Sequence, residues 1–204
     1  MEKKFELTDK FVFNTFGIKL FQIKCTKSFK YAKEGDLGGY VEKDENLDQE
    51  SDAWVYGNAQ VSGNARVSGN AQVYGNARVS GNAQVYGNAQ VYGNAWVYGN
   101  ARVYGNAQVY GDAWVYGDAQ VSGDADIEND NNHCGFDCFG SCNRHTHAYL
   151  TKDNKVEITC GCFRGSIEEF EKKVEKTHSG KIYEKQYKAI INVIKIKFGL
   201  TDLI

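Results

Sequence analysis

The chain has 204 residues, enough for one or two ordinary domains, and a formal net charge of −2 at pH 7. This near-neutral charge carries no nucleic-acid signature, and no apolar run approaches the roughly 18 residues of a membrane-spanning helix. Residues 1–5 lack the apolar core of a signal peptide, so we expect a cytoplasmic protein with no membrane partner.

Residues 1–50 precede a long repeat and contain short stretches in which apolar and polar residues alternate. The clearest are residues 19–24 and the glycine-rich residues 34–43. Alternation with a period of two is typical of β-strands with one buried face. We therefore predict an N-terminal β cap of two or three strands that covers the open edge of the following domain.

Residues 51–128 are dominated by a six-residue repeat, Val-(Tyr/Ser)-Gly-(Asn/Asp)-Ala-x. Twelve such units follow one another without insertion, the first beginning at Val55 and the last at Val121. Within each unit Ala and Val fall on one face of a short strand, while x and Tyr/Ser fall on the other. The Gly-(Asn/Asp) pair supplies a turn, because both residues tolerate positive φ.

Strands this short, with a corner every six residues, cannot pair as hairpins. They close instead into a triangular coil of three units, with each strand about 4.8 Å from the strand 18 residues earlier. The predicted fold class is mainly β: a left-handed parallel β-helix with three hexads per coil and about four to five coils. The β cap precedes it and a small α+β domain follows it.

The corner residues support three units per coil. Asparagines at intervals of 18 residues form three columns, and aspartate occupies only terminal coils, as at Asp52, Asp112, Asp118 and Asp124. Amide side chains hydrogen-bond along a stack, whereas carboxylates about 4.8 Å apart repel each other. This order predicts asparagine ladders along the edges of the helix.

The outward-facing positions form three faces, and aromatic residues are concentrated on two of them. One face carries Tyr74, Tyr92 and Tyr110; the next carries Trp96, Tyr98, Trp114 and Tyr116, with Arg102 around the corner from Tyr98. Ser62 and Ser80 leave the first levels of the second face bare. So many aromatics exceed what a solvated surface normally shows. We interpret these residues as an oligomer interface, or as a platform for a sugar, a nucleobase or a small anionic ligand.

Residues 129–146 are predicted to form a polar linker and a cysteine-rich loop. Cys134, Cys138, Cys142 and His145 are the best candidates for zinc ligands. Their spacing is irregular, and there are more cysteines nearby than one site needs. We interpret them as small reduced thiols and expect neither a metal nor a cofactor.

Residues 147–204 are predicted to form a small ββαα domain. A hairpin comprises residues 147–151 and 156–163, and two helices follow. Ser166 and Glu169 form a capping box at the start of the first helix, and Gly180 ends it. The second helix buries a face that includes Tyr187 and Ile190.

The repeat resembles the isoleucine-patch, or hexapeptide, superfamily, which implies a left-handed β-helix and commonly a trimer. The segment that begins Gly35-Asp36-Leu37 and the tail segment Gly161-Cys162-Phe163 resemble hexapeptide-repeat proteins of bacteriophage and prophage. The superfamily includes acyltransferases and γ-class carbonic anhydrases, which use histidines at their coils. The four histidines here (His133, His145, His147 and His178) lie outside the coils, which disfavours an enzyme.

Three hypotheses follow for function. The first is a non-catalytic, trimeric binding or scaffold protein of phage type that acts in the host cytoplasm. A concrete version is an antagonist of host defence that sequesters a host protein or a nucleotide signal. The second is an acyltransferase-like enzyme with a degenerate site, and the third is a self-assembling structural protein. We favour the first, since capped ends argue against assembly coil upon coil.

Overall fold

The computed structural model describes residues 3–200, so residues 1–2 of the predicted cap and 201–204 of the predicted tail lie outside the described residues. A parallel β-helix lies between an N-terminal set of strands and a C-terminal sheet with two helices. The predicted fold class is confirmed.

The structure contains twenty strands and two α-helices in the described residues. The N-terminal strands are Phe5–Phe13 (β1), Lys19–Cys25 (β2) and Leu37–Val41 (β3), followed by a 3-10 turn at Asp44–Asn46. The coil strands are Trp54–Val55 (β4), Gln60–Val61 (β5), Arg66–Val67 (β6), Gln72–Val73 (β7), Arg78–Val79 (β8), Gln84–Val85 (β9), Gln90–Val91 (β10), Trp96–Val97 (β11), Arg102–Val103 (β12), Gln108–Val109 (β13), Trp114–Val115 (β14), Gln120–Val121 (β15) and Asp126–Ile127 (β16). After a 3-10 turn at Asp130–Asn132 come His133–Phe139 (β17), Arg144–Leu150 (β18), Val156–Cys160 (β19), Phe163–Ser166 (β20), and the helices Ile167–His178 (α1) and Ile182–Lys197 (α2).

Three parallel sheets form the sides of the coil, and each strand pairs with the strand three units away. Val91, for example, pairs with Val73 on one side and Val109 on the other. The alanines and valines of the repeat are fully buried inside. Backbone hydrogen bonds join successive coils, as from the Gln72 amide to the Ala89 carbonyl at 3.0 Å. These ladders supplement a core that contains only small side chains.

The corner side chains form the predicted asparagine ladders. Asn70 Nδ2 donates to Asn88 Oδ1 at 2.9 Å, and Asn88 Nδ2 donates to Asn106 Oδ1 at 3.1 Å. Each ladder ends on an aspartate, as where Asn106 Nδ2 donates to Asp124 Oδ1 at 3.2 Å. Since all rungs donate in the same direction, the last residue only accepts. This polarity explains why aspartate is tolerated in the last coil.

We expect Asn106→Asp to lower the free energy of unfolding by roughly 1–2 kcal/mol. The substitution removes the donor to Asp124 and places two carboxylates on adjacent rungs. Urea unfolding followed by circular dichroism would measure the loss. The control is Asn106→Asp combined with Asp124→Asn, which removes the repulsion and should recover part of the stability. A double variant no more stable than the single one would contradict a repulsive origin.

The N-terminal strands extend one side of the coil. Val41 of β3 pairs in parallel with Val61 of β5, and β2 and β1 continue the sheet in antiparallel fashion, giving the order β1-β2-β3-β5-β8-β11-β14. Asn46 is fully buried, and its Nδ2 donates to the carbonyls of Gly63 (3.1 Å) and Ala65 (2.8 Å). The first coil thus has its exposed backbone groups covered, as the predicted β cap requires.

The C-terminal region forms a four-stranded antiparallel sheet, in the order β17-β18-β19-β20, against which α1 and α2 pack. The predicted hairpin corresponds to β18 and β19, and the capping box of Ser166 and Glu169 opens α1. The predicted linker and cysteine-rich loop at 129–146 is wrong for most of its length. Residues 133–139 and 144–146 are strand, because Cys134 and Phe136 pack against the helical core.

The C-terminal sheet closes the last coil. Tyr149 is fully buried and belongs to the same hydrophobic cluster as the coil valines. Its hydroxyl lies 3.3 Å from Ser122 Oγ, and Thr159 Oγ1 donates to the Gln120 carbonyl at 2.9 Å. Within residues 3–200, no helix has the length and apolar character needed to cross a bilayer.

Candidate functional site

The aromatic face on the seven-stranded sheet consists of Trp96, Tyr98, Trp114 and Tyr116. The two indole rings stack at 5.0 Å between centroids with 2° between planes. Tyr98 and Tyr116 stack beside them at 5.4 Å. Trp114 and Tyr116 are 43% and 54% exposed, whereas Trp96 and Tyr98 are half-buried. The structure therefore brings these four predicted residues together as two neighbouring ladders, with the Tyr98 ring edge-on to Trp114 at 6.4 Å and 81°.

The cation on this face is Arg78, whereas Arg102 lies around the corner on the next side of the coil, as predicted. The Arg78 guanidinium lies 4.6 Å from the centroid of the Trp96 ring, within the range of a cation–π interaction. Arg102 lies on a different sheet, paired with Gln84 and Gln120. Arg102 follows the corner after Tyr98 and so belongs to the next side of the coil. Arg78 lies one coil before Trp96, on the same side.

The first levels of this face, at Ser62 and Ser80, are covered by the β1–β2 turn. Asn14, Thr15 and Phe16 line a cleft of about 20 Å³ together with Ser62, Ser80, Arg78 and Trp96. Ser62 is 5% exposed. These levels carry serine in place of the repeat's tyrosine, and the β1–β2 turn lies beside them.

The second aromatic face consists of Tyr74, Tyr92 and Tyr110, which contact one another and neighbouring glutamines of the same chain. The rings stack at 4.7 and 4.8 Å. The hydroxyls of Tyr74 and Tyr92 donate to Oε1 of Gln90 and Gln108, each at 3.1 Å. Burial raises the pKa of Tyr92 to about 12, so the phenol stays neutral. We assign this ladder to stabilisation of the coil.

The cysteines considered as zinc ligands are not gathered at one place. Cys134 faces the helical core, where burial raises the pKa of its thiol to about 11. Cys138 and Cys142 are exposed near the β17–β18 turn. Cys142 shares a cleft of about 240 Å³ with Cys160, Cys162 and His178. His145 is not part of this cleft; it lines a separate cavity with His133 and His147.

A histidine cluster lies between the β17–β18 hairpin and the last coil. His133, His145 and His147 line a cavity of about 280 Å³ whose other lining residues are Tyr116, Ala119, Asp130, Cys134, Gly135 and Asp137. His133 Nδ1 and His147 Nε2 share a hydrogen bond of 3.0 Å. His147 is 2% exposed, and burial, together with the neighbouring His133 and His145, holds its pKa well below the usual value. Burial likewise lowers the pKa of His133.

One sequence feature signalled part of this cluster, and the register of the hairpin completes it. His145 and His147 are two residues apart, which places both on one face of a strand. In the hairpin register His133 lies opposite Tyr149, and Gly135 lies opposite His147, so the glycine leaves room for the imidazoles. A Cβ at Gly135 would come within 2.6 Å of His145 Cε1. Because residues 129–146 were predicted to form a loop, this strand register was not predicted.

The fold and its stacked outward residues define a β-solenoid repeat protein. The sequence profile of the YdcK β-solenoid repeat matches residues 59–71, 71–87, 83–99, 89–105, 95–111 and 107–123. These windows lie within the coil and leave both flanks unmatched. No curated protein shows significant sequence similarity to the chain.

Proposed function

We propose that the chain is a non-catalytic binding or scaffold protein that works as a homo-oligomer, with the Trp96–Trp114 face as the contact between subunits. The observation that carries this proposal is the exposed end of the two ladders, where Trp114 and Tyr116 are 43% and 54% exposed. Rigid, flat, stacked aromatics lose little conformational entropy on association, and Trp and Tyr dominate interface hot spots.

The assembly that we propose is a trimer, and its setting is the host cytoplasm of a phage or prophage. Both rest on the resemblance of the repeat and its flanks to hexapeptide proteins. In this version the oligomer antagonises host defence by sequestering a host protein or a nucleotide signal. Arg78 beside Trp96 supports a planar anionic ligand as the second occupant of the face, because an aromatic plane and a guanidinium complement such a molecule.

We expect Trp96→Ala combined with Trp114→Ala to weaken self-association at least 30-fold, since truncating a hot spot typically costs about 2 kcal/mol or more. Native mass and sedimentation at micromolar concentration would measure the effect, and circular dichroism would show that the coil stays folded. The matched control is Tyr86→Ser with Tyr104→Ser, which removes a ladder stacked at 5.0 Å on a different sheet. An unchanged mass of the tryptophan variant would exclude this face as the interface.

The ligand version is tested separately with native protein. Mass spectrometry of molecules released on denaturation would identify a bound anion. Arg78→Ala should reduce the amount released while leaving the oligomer mass unchanged, and Arg102→Ala serves as the control on another face. Retention of the same anion by the Arg78 variant would argue against a ligand at this face.

A further inference from the structure

Two of the three clustered histidines have a carboxylate behind the imidazole, an arrangement common around metal sites, whereas the Nδ1 of His147 is buried without a hydrogen-bond partner among the described residues. The His145 Nδ1–H donates to Asp137 Oδ1 at 2.6 Å, and the His133 Nε2–H lies 3.4 Å from Asp130 Oδ1. Asp130 is itself fixed, because its Oδ1 accepts the Trp114 backbone N–H at 2.8 Å. A carboxylate on one ring nitrogen sets the tautomer and orients the other nitrogen as a ligand.

The remaining ring nitrogens border the same cavity. His133 Nδ1 faces His147 Nε2. His145 Nε2 is buried and has no hydrogen-bond partner among the described residues. A Cβ built on Gly135 would lie 2.9 Å from His145 Nε2 and 3.7 Å from His147 Cδ2, so both imidazole edges lie over the same glycine. Buried polar atoms normally have a hydrogen-bond partner, so we expect a bound group to contact His145 Nε2 in this cavity.

The arrangement has to rearrange before it can hold a cation. As the structure stands, no group of three His, Cys, Asp or Glu side chains within residues 3–200 could hold a metal ion. His133 and His147 face each other through nitrogens 3.0 Å apart. Two imidazole nitrogens on a tetrahedral zinc, each at about 2.0–2.1 Å, lie about 3.3 Å from each other, so these two rings need to separate by a few tenths of an ångström. The His145 ring, whose centroid is 5.6 Å from that of His147, has to turn or move so that its Nε2 reaches the same ion.

We propose that His133, His145 and His147 bind one divalent transition-metal ion of the zinc class through His133 Nδ1, His147 Nε2 and His145 Nε2. Neutral imidazoles suit zinc, nickel and copper, and the acidic Asp130 and Asp137 favour a cation over an anion. The site revises the expectation that the tail binds no metal, and it replaces the cysteine set. It borders the proposed oligomer face, since Tyr116 lines the cavity, but its ligands do not belong to that face.

Metal bound here would stabilise the packing of the C-terminal sheet against the β-helix. The cavity lies between the β17–β18 hairpin and the corner residues Tyr116 and Ala119 of the last coil. Three protein ligands leave a fourth position on a tetrahedral ion for water or another small donor. We therefore expect metal to raise the melting temperature of the full chain, with an effect that grows with free metal concentration.

The primary test uses the full wild-type chain, stripped with a chelator and titrated with Zn²⁺ in a calorimeter and with Co²⁺ in a spectrometer. We expect one equivalent to bind, with no thiolate-to-cobalt charge-transfer absorption. In NMR spectra of the imidazoles, three histidines should shift with one equivalent of Zn²⁺ while His178 stays in place. Absence of stoichiometric binding, a thiolate band, or a shift of His178 in place of the others would overturn the proposal.

Variants separate ligands from positioning residues. His147→Gln and His145→Gln should each weaken Zn²⁺ binding by about 100-fold or more, and Asp137→Asn by roughly 10–100-fold. His178→Gln and Cys142→Ser combined with Cys162→Ser are the matched controls and should bind as the wild type does. Unchanged Zn²⁺ affinity in His145→Gln would also show that His145 is not a ligand. If a histidine variant fails to fold, the wild-type imidazole spectra still decide.

Discussion

Val91→Asp is expected to unfold the β-helix or to lower its free energy of unfolding by about 4 kcal/mol or more. Val91 is 0% exposed and lies between Val73 and Val109 in a column of valines. A carboxylate in this interior meets alkyl groups and backbone atoms that are already paired with each other. Whether this carboxyl group is ionised or protonated, it has no hydrogen-bond partner in the interior.

Urea and thermal unfolding followed by far-ultraviolet circular dichroism would measure the effect of Val91→Asp. Gln90→Asp is the matched control, because Gln90 is the adjacent residue on the same strand and its side chain points outward, half-buried. It should stay within about 1 kcal/mol of the wild type. A soluble Val91→Asp protein with a wild-type spectrum and midpoint would show that the inward assignment of the valines is wrong.

Gly87→Ala is expected to have the second largest effect, a loss of about 2–5 kcal/mol. Gly87 has φ +72°, and a left-handed backbone costs an L-residue roughly 1–2 kcal/mol. A Cβ there would also lie 3.0 Å from the backbone nitrogen of Gly105 in the next coil. Relieving that contact means separating two rungs of the backbone ladder, which adds a cost of the kind seen on overpacking, about 1–3 kcal/mol.

Gly117→Ala isolates the two contributions. Gly117 has nearly the same backbone, with φ +65°, but no atom lies within 4 Å of the position that its Cβ would take. It should therefore lose only the roughly 1–2 kcal/mol of the backbone conformation. Equal losses in the two variants, measured by urea unfolding, would mean that close stacking of the corners contributes nothing.

The coil was predictable because each six-residue unit carries its own turn residues and its own inward pair. Nothing distant is needed to place Ala89 and Val91 inside or Gly87 and Asn88 at a corner. The corner aspartates then favour three units per coil, since a spacing of 12 residues would stack Asp112 on Asp124, whereas a spacing of 18 stacks no two carboxylates. The hydrogen bonds from Asn70 through Asn88 and Asn106 to Asp124 confirm this reasoning.

The contents of the candidate sites were less predictable, because they depend on which elements cover which surface. Trp54 occupies an outward position of the repeat, yet it is 1% exposed because Phe5 and Phe29 pack against its ring. Arg78, rather than Arg102, lies on the tryptophan face because stacking joins residues one coil apart. The cover over Trp54 does not follow from the repeat, whereas the place of Arg78 does, since it precedes Trp96 by 18 residues.

The sequence by itself determined the β-helix, its three units per coil, its asparagine edges and the capped helix of the tail, since periodicity and turn chemistry act over a few residues. The tertiary structure alone decided that residues 133–139 form a strand, that Tyr149 closes the coil core, and that three histidines share one cavity. Those outcomes depend on the register of β17 against β18 and on docking of their sheet onto the last coil. The two-residue spacing of His145 and His147 places this pair on one strand face, but both the register and the docking depend on contacts between distant residues, which spacing along the chain does not fix.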